Sequence, residues 1–169
     1  GGQYEGWQFR LDGGGARVLT DGWRLITTPA VSPKDGSLAV VTAVTENWYL
    51  LPTEVEAQPL ATAKPMPKVD ESGSWFSPIR FDDAGRRLIG AIMPVGQSGP
   101  DNERSIGFYD MESGKYERVG KRIVPPFSFD WALDQRRILV ADRRGIWVYD
   151  PDTDELSSIL EFERLQRVA

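Results

Sequence analysis

Three stretches of the chain repeat at a fixed interval: the apolar residues Leu38, Leu88 and Ile138 stand 50 residues apart. Each follows a turn-like cluster: Pro33-Lys34-Asp35-Gly36-Ser37, Asp82-Asp83-Ala84-Gly85-Arg86-Arg87 and Leu133-Asp134-Gln135-Arg136-Arg137. Each opens a short apolar run, Leu38–Val41, Leu88–Ile92 and Ile138–Ala141. A period of this length restricts a chain to solenoids, propellers or arrays, because one repeat cannot bury its apolar faces without a neighbour.

Around these runs, segments rich in Val, Ile, Trp, Tyr and Phe alternate with Gly, Pro, Asp and Ser clusters, which is the pattern of an all-β protein with tight turns. Helical periodicity is nearly absent; residues Glu161 to Ala169 read as either a short helix or a frayed tail. Trp147-Val148-Tyr149-Asp150 aligns with Trp48-Tyr49-Leu50-Leu51, with Trp7-Gln8-Phe9-Arg10 and with Gly107-Phe108-Tyr109-Asp110. A polar turn and a further short strand follow each of them. With a first strand near Pro29–Ser32, Pro78–Phe81 and Ser128–Ala132, every full repeat supplies four strands, a to d. Four antiparallel strands per repeat make a propeller blade.

The expected fold is therefore all-β, a β-propeller fragment of about three and a half four-stranded antiparallel blades. Residues 1–22 supply strands c and d of an incomplete blade. Residues 23–65, 73–122 and 124–160 form blades, the second with a long b–c hairpin, and 161–169 a tail. Trp7, Trp48 and Trp147 are expected to pack between blades, with a ligand platform as the alternative. Propellers have roughly 4–8 blades, so another chain or further sequence is expected to complete the ring. The opening Gly1-Gly2-Gln3, without an initiator Met, fits an excised piece or a processed product.

Composition narrows the function classes. The 169 residues include neither His nor Cys, which removes disulfides, thiolate nucleophiles, Cys/His zinc sites and His-based triads carried by this chain alone. A formal net charge of −5 argues against nucleic-acid or anionic-membrane partners, which need a basic stripe. The basic pairs Arg86-Arg87, Arg136-Arg137 and Arg143-Arg144 are short enough to be solvated strand ends. No apolar run is long enough to insert in a membrane. Asp82-Asp83 and Asp150-Pro151-Asp152-Thr153-Asp154 suit turns better than calcium loops, since the latter run lacks the Gly and Glu such a loop requires. Gly13-Gly14-Gly15 has neither the Lys-Ser/Thr nor the helix of a phosphate cradle. No metal and no cofactor is expected.

Two segments break the repeat. The b–c connection Met93–Arg104 is far longer than its counterpart Asp142–Gly145, and insertions of this kind often mark a binding face. The crossing Ala61–Ser74 carries Pro65 and Pro67 close after Pro59, which favours an extended path, serving as a spacer or as a peptide-docking edge. In a propeller both kinds of connection lie on one face. Candidate binding residues there are Glu46, Asn47, Asp101, Asn102, Glu103, Arg104, Arg143 and Arg144.

Val31-Ser32-Pro33-Lys34-Asp35-Gly36-Ser37-Leu38 resembles the Ser-Pro-Asp-Gly phrase of TolB-like (WD-like) propeller repeats. Leu11-Asp12-Gly13-Gly14-Gly15-Ala16-Arg17-Val18-Leu19-Thr20 is similar to their blade ending, and Ile146-Trp147-Val148-Tyr149-Asp150 to their third strand. The two later repeats depart from the phrase, with Asp-Asp-Ala-Gly and Leu-Asp-Gln-Arg in its place. The resemblance implies a non-catalytic module that docks a protein or peptide partner, in an extracytoplasmic setting. Similar repeats also form the gating propeller of prolyl-oligopeptidase-type peptidases, whose catalytic domain would lie outside this chain. A propeller enzyme with carboxylates around a central metal is a weaker expectation, because the aligned blades show no ring of Asp or Glu.

Overall fold

The computed structural model describes residues 7–9, 16–18, 20–21, 29–41, 47–52, 58–59, 63–94, 105–119, 128–142 and 144–161. Every regular element among them is a β-strand. β1 (Trp7–Phe9) pairs with β2 (Ala16–Val18), and β3 (Thr20–Asp21) lies parallel to β7 (Gln58–Pro59). β4 (Ala30–Val31), β5 (Leu38–Val41) and β6 (Trp48–Leu51) form a three-stranded antiparallel sheet. Two four-stranded meanders follow. The first holds β8 (Trp75–Phe81), β9 (Arg87–Met93), β10 (Ser105–Asp110) and β11 (Lys115–Val119). The second holds β12 (Ser128–Trp131), β13 (Ile138–Asp142), β14 (Gly145–Asp150) and β15 (Glu155–Glu161).

The sheets stack face to face, so their central strands are buried on both sides rather than alternately. All of β5 is buried, as are the five inner residues of β9. Between the three-stranded sheet and the first meander lie Ala39, Val41, Trp48, Phe76, Phe81, Leu88, Ile92 and Tyr109. Between the two meanders lie Ile89, Ala91, Ile106, Phe108, Val119, Phe129, Trp131, Ile138, Val140 and Tyr149. Alternate residues of β9 thus serve different cores, Leu88 and Ile92 one, Ile89 and Ala91 the other, as the two-residue strand period requires.

Trp48 packs between blades as expected. It is buried, with its ring 5.0 Å from Tyr109 edge-on and 5.6 Å from Phe76. Its alignment with Trp147 is corrected, however. Measured from the 50-residue anchors, Trp48 pairs with Val41 whereas Trp147 pairs with Val140, the register that Tyr49 holds opposite Val40. A one-residue slip turns a side chain to the other face of its sheet. Trp147 therefore lies on the opposite face from Trp48, half-buried, with the Arg144 guanidinium 5.3 Å from its ring. Residue type suggested the match, but pairing across the b–c connection decides the register. The side chain of Trp7 lies outside the described residues.

In the first meander this register is held by the glycine pair Gly90 and Gly107. A Cβ on Gly90 would come within 2.5 Å of the Ser77 carbonyl oxygen and press into the Phe76 ring, while one on Gly107 would collide with Ile92. The two glycines make the hollow that Phe76 and Ile92 fill on the side of Trp48. β8 itself carries a bulge between Pro78 and Arg80, where an inner-edge strand tolerates proline. Gly90→Ala should destabilise the fold by about 1–3 kcal/mol through overpacking. The measurement is a shift of the urea midpoint with unchanged slope.

Candidate binding surface

The two ends of the stacked sheets differ in construction. At one end lie the a–b turns, which repeat the same backbone closure: Ser32 N–H to Ser37 O, Asp82 N–H to Arg87 O and Ala132 N–H to Arg137 O, each 2.8 Å. A carboxylate folds each turn. Asp35 accepts from Ser37 N–H, Asp82 from Arg86 and Arg87 N–H, and Asp134 from Arg136 and Arg137 N–H. The N–H of Arg137 does most to hold the Asp134 carboxyl well below the usual carboxylate range, followed by that of Arg136 and the Arg137 guanidinium. The c–d turns close the same end in the same way: Asp150 accepts from Asp152 N–H, and Asp152 meets the Arg136 guanidinium at 2.9 Å. The paired acids are thus structural turn residues.

These turns are also joined sideways. The Asp83 N–H donates to Gln135 Oε1 at 3.0 Å, and Arg87 Nη2 donates to the Gln135 carbonyl at 2.8 Å. The Arg87 guanidinium lies 4.9 Å from the Trp131 ring and 5.5 Å from Phe108, and those two rings are themselves stacked at 5.0 Å. Reading Arg86-Arg87 as a solvated strand end is therefore corrected at Arg87, which clamps one blade to the next. Arg80 pairs with Asp130 across the same interface. Gln135 holds φ at 56°, the position filled by Gly85 at 64° in the preceding turn, and its backbone is kept there by these inter-blade bonds. No local motif marks either residue; their partners lie about 50 positions away in the chain.

In an antiparallel meander the a–b and c–d turns share one end, so the b–c connections leave the strands at the opposite end. Asn47 stands there, half-buried, at the entry to β6, and Arg144 stands exposed in the β13–β14 hairpin. The crossing between blades runs along the same end and is pinned at four points. Met66 N–H donates to Trp48 O at 3.0 Å, and the Tyr116 hydroxyl donates to Pro67 O at 2.6 Å while accepting from Trp48 Nε1 at 2.6 Å. Val69 N–H donates to Ser74 O, and Asp70 closes the turn. The Asp70 carboxylate accepts from Ser72 Oγ at 2.5 Å, Ser74 N–H at 3.1 Å and Arg118 Nη2 at 2.5 Å. These bonds, the Ser72 hydroxyl first, hold its pKa down to about 2. Burial pushes the Tyr116 hydroxyl up, so it stays a neutral donor.

The crossing is thus a fixed ledge, with Met66 and Val69 packed inward and Lys64, Pro65, Pro67, Lys68, Glu71 and Ser72 exposed. Its extended course matches the proline content, whereas the Asp70–Arg118 link has no signal in either segment alone. Of the sequence candidates, Asn47 and Arg144 lie at this end. Glu46, Asp101, Asn102, Glu103, Arg104 and Arg143 lie outside the described residues. Among the described residues no group of three or more acidic side chains is arranged to hold a metal ion.

Among solved structures, the chain is similar to TolB from Acinetobacter baumannii, with a TM-score of 0.61 over 92% of this chain at 16% identity. It is also similar to the tricorn protease, with a TM-score of 0.42 over 94% of this chain at 14% identity. It spans 37% of the TolB chain and 19% of the tricorn chain. No family model matches the sequence. No curated protein matches it either. The likeness to TolB establishes the architecture, a segment of a TolB-like β-propeller.

Asp70 gives the ledge a pH signature. Its pKa lies below the ordinary 3.8 in the folded chain, so its stabilising contribution is complete above about pH 4 and is lost as pH falls toward 2. Asp70→Asn should flatten the acid dependence of the thermal midpoint in that window while leaving the slope above pH 5 unchanged, as read by calorimetry in parallel on both proteins.

Proposed function

We propose that this chain is a non-catalytic β-propeller scaffold that docks a protein or peptide partner, as part of a larger propeller or multi-chain assembly. The observation that carries this reading is the contrast between the two ends. The turn end spends its polar groups on bonds within and between blades. The connection end instead presents an exposed ledge whose backbone is already ordered by Trp48, Tyr116, Asp70 and Arg118. A preformed surface binds with a smaller ordering cost than a loop that must settle on contact. Pro65 and Pro67 keep that stretch extended, a shape that an extended peptide can follow. Lys64 and Lys68 on the ledge and Arg144 on the nearby connection end supply positive charge that acidic side chains of a partner would meet.

The test compares the ends. A partner trapped by photo-cross-linking from position 68 and then purified should bind the Lys64→Glu, Lys68→Glu double variant roughly tenfold or more weakly, since like charges would face each other. Arg136→Glu, at the turn end, should leave affinity unchanged by calorimetry. Equal losses from both variants, or none from the ledge variant, would sink the proposal.

A further inference from the structure

β11 and β15 are the fourth strands of the two meanders, and among the described residues each is the outermost strand of its sheet. The first strands β4, β8 and β12 lie against one another, so the fourth strands stand on the outer side of the stack. An outermost strand carries a row of unpaired backbone N–H and C=O groups, which proteins guard with charged side chains or proline. β11 is guarded. Lys115, Glu117 and Arg118 are exposed along it, and Tyr116 and Arg118 are tied to the crossing. β15 is not. All seven of its residues are exposed, and between Glu155 and Glu161 it reads Leu156-Ser157-Ser158-Ile159-Leu160, with neither charge nor proline. Leu156 is 46% exposed, Ile159 57% and Leu160 50%. Leu156 pairs with Tyr149 and Leu160 with Ile146, an odd number of positions apart on β14, so they stand on opposite faces of the sheet. A strand added here covers apolar surface on both faces as well as taking up backbone bonds. The bulge at Ile159 bends the far end and leaves Glu155–Ser158 in regular pairing.

From this we infer that the outer edge of β15 is a docking site for an extended segment of another protein, which adds to the second meander as a fifth strand. The occupant has uncharged β-forming residues at its centre and Lys or Arg at both ends. The glutamates define it: Glu155 and Glu161 stand exposed at the two ends of the edge, and basic residues entering opposite them are attracted at both. A second copy of this chain is disfavoured by the same charges. Antiparallel pairing centred on Ser158 sets Glu155 opposite Glu161 of the second copy at both ends, and parallel pairing in register sets each glutamate beside its own counterpart. Neighbouring blades pack on sheet faces, so this edge is separate from completion of a ring. It is also independent of the ledge, where Lys64 and Lys68 favour a partner of the opposite charge.

The probe is the synthetic peptide Lys-Val-Thr-Val-Thr-Val-Lys, capped at both ends and titrated into the full chain at low ionic strength by NMR. Chemical-shift changes should centre on the β14 and β15 amides, and exchange of the β15 amides should slow severalfold at saturation. The double variant Glu155→Lys, Glu161→Lys should bind this peptide about tenfold or more weakly, and the same peptide with Glu at both ends should recover that affinity on the variant. Backbone N-methylation separates strand pairing from loose adsorption. Successive N–H groups of a strand point to opposite edges, so of two peptides methylated at alternate residues in opposite phase, one should lose binding and the other keep it. The ledge variant Lys64→Glu, Lys68→Glu should bind the parent peptide unchanged, whatever becomes of the ledge reading. No shift changes at millimolar peptide, equal effects of the two methylated peptides, or a loss on the ledge variant instead would overturn the inference. So would a dimer in sedimentation whose β15 amides are protected without peptide, because the edge would then belong to a second copy.

Discussion

Leu88 and Ile92 leave β9 on one face, Ile89 and Ala91 on the other, and each pair is sealed by a different neighbouring sheet. This two-sided burial of central strands is the constraint on which the rest of the structure depends. A sheet buried on both faces cannot stand alone, so each repeat is stable only through its neighbours. The apolar contacts run from sheet to sheet, and the polar clamps at Arg87, Gln135, Arg80 and Asp130 fix how one sheet is set against the next.

That stacking also separates the two ends of the molecule. At the end where the a–b turns meet, many backbone donors and carboxylate acceptors are already bonded within a turn or to the next one. The other end receives the connections, whose lengths are free to vary without disturbing strand pairing. The crossing from β7 to β8 is the informative case. It has the composition of a linker, yet the Trp48 indole of β6, the Tyr116 phenol and Arg118 guanidinium of β11, and the crossing's own Asp70 carboxylate hold it in place. That ordered polar segment at the connection end is the physical basis of the proposed scaffold role.

Much of the fold was legible in the chain. The strands beginning at Leu38, Arg87 and Ile138 stand at the repeat anchors, and the turns before them are where Gly, Asp and Ser cluster. The candidate surface was less legible. Asn47 and Arg144 could be assigned to an end because strand order alone predicts which connections share one. Asp70, Arg118 and Tyr116 could not, since each is an ordinary turn or strand residue until its partner, 44 to 49 positions away, is brought beside it.

By itself, then, the sequence determined an all-β repeat of four-stranded units, because strand period and turn chemistry are local and survive in any context. Tertiary structure decided which face each residue serves. Trp48 and Trp147 look equivalent, yet they lie on opposite faces because a one-residue difference in pairing inverts orientation. Arg87 and Arg137 also look equivalent, and each pairs with an aspartate of its own turn, yet Arg87 in addition clamps two blades, because a described blade lies beside it to supply the carbonyl and the ring. Local chemistry specifies an element, while its neighbour specifies what that element does.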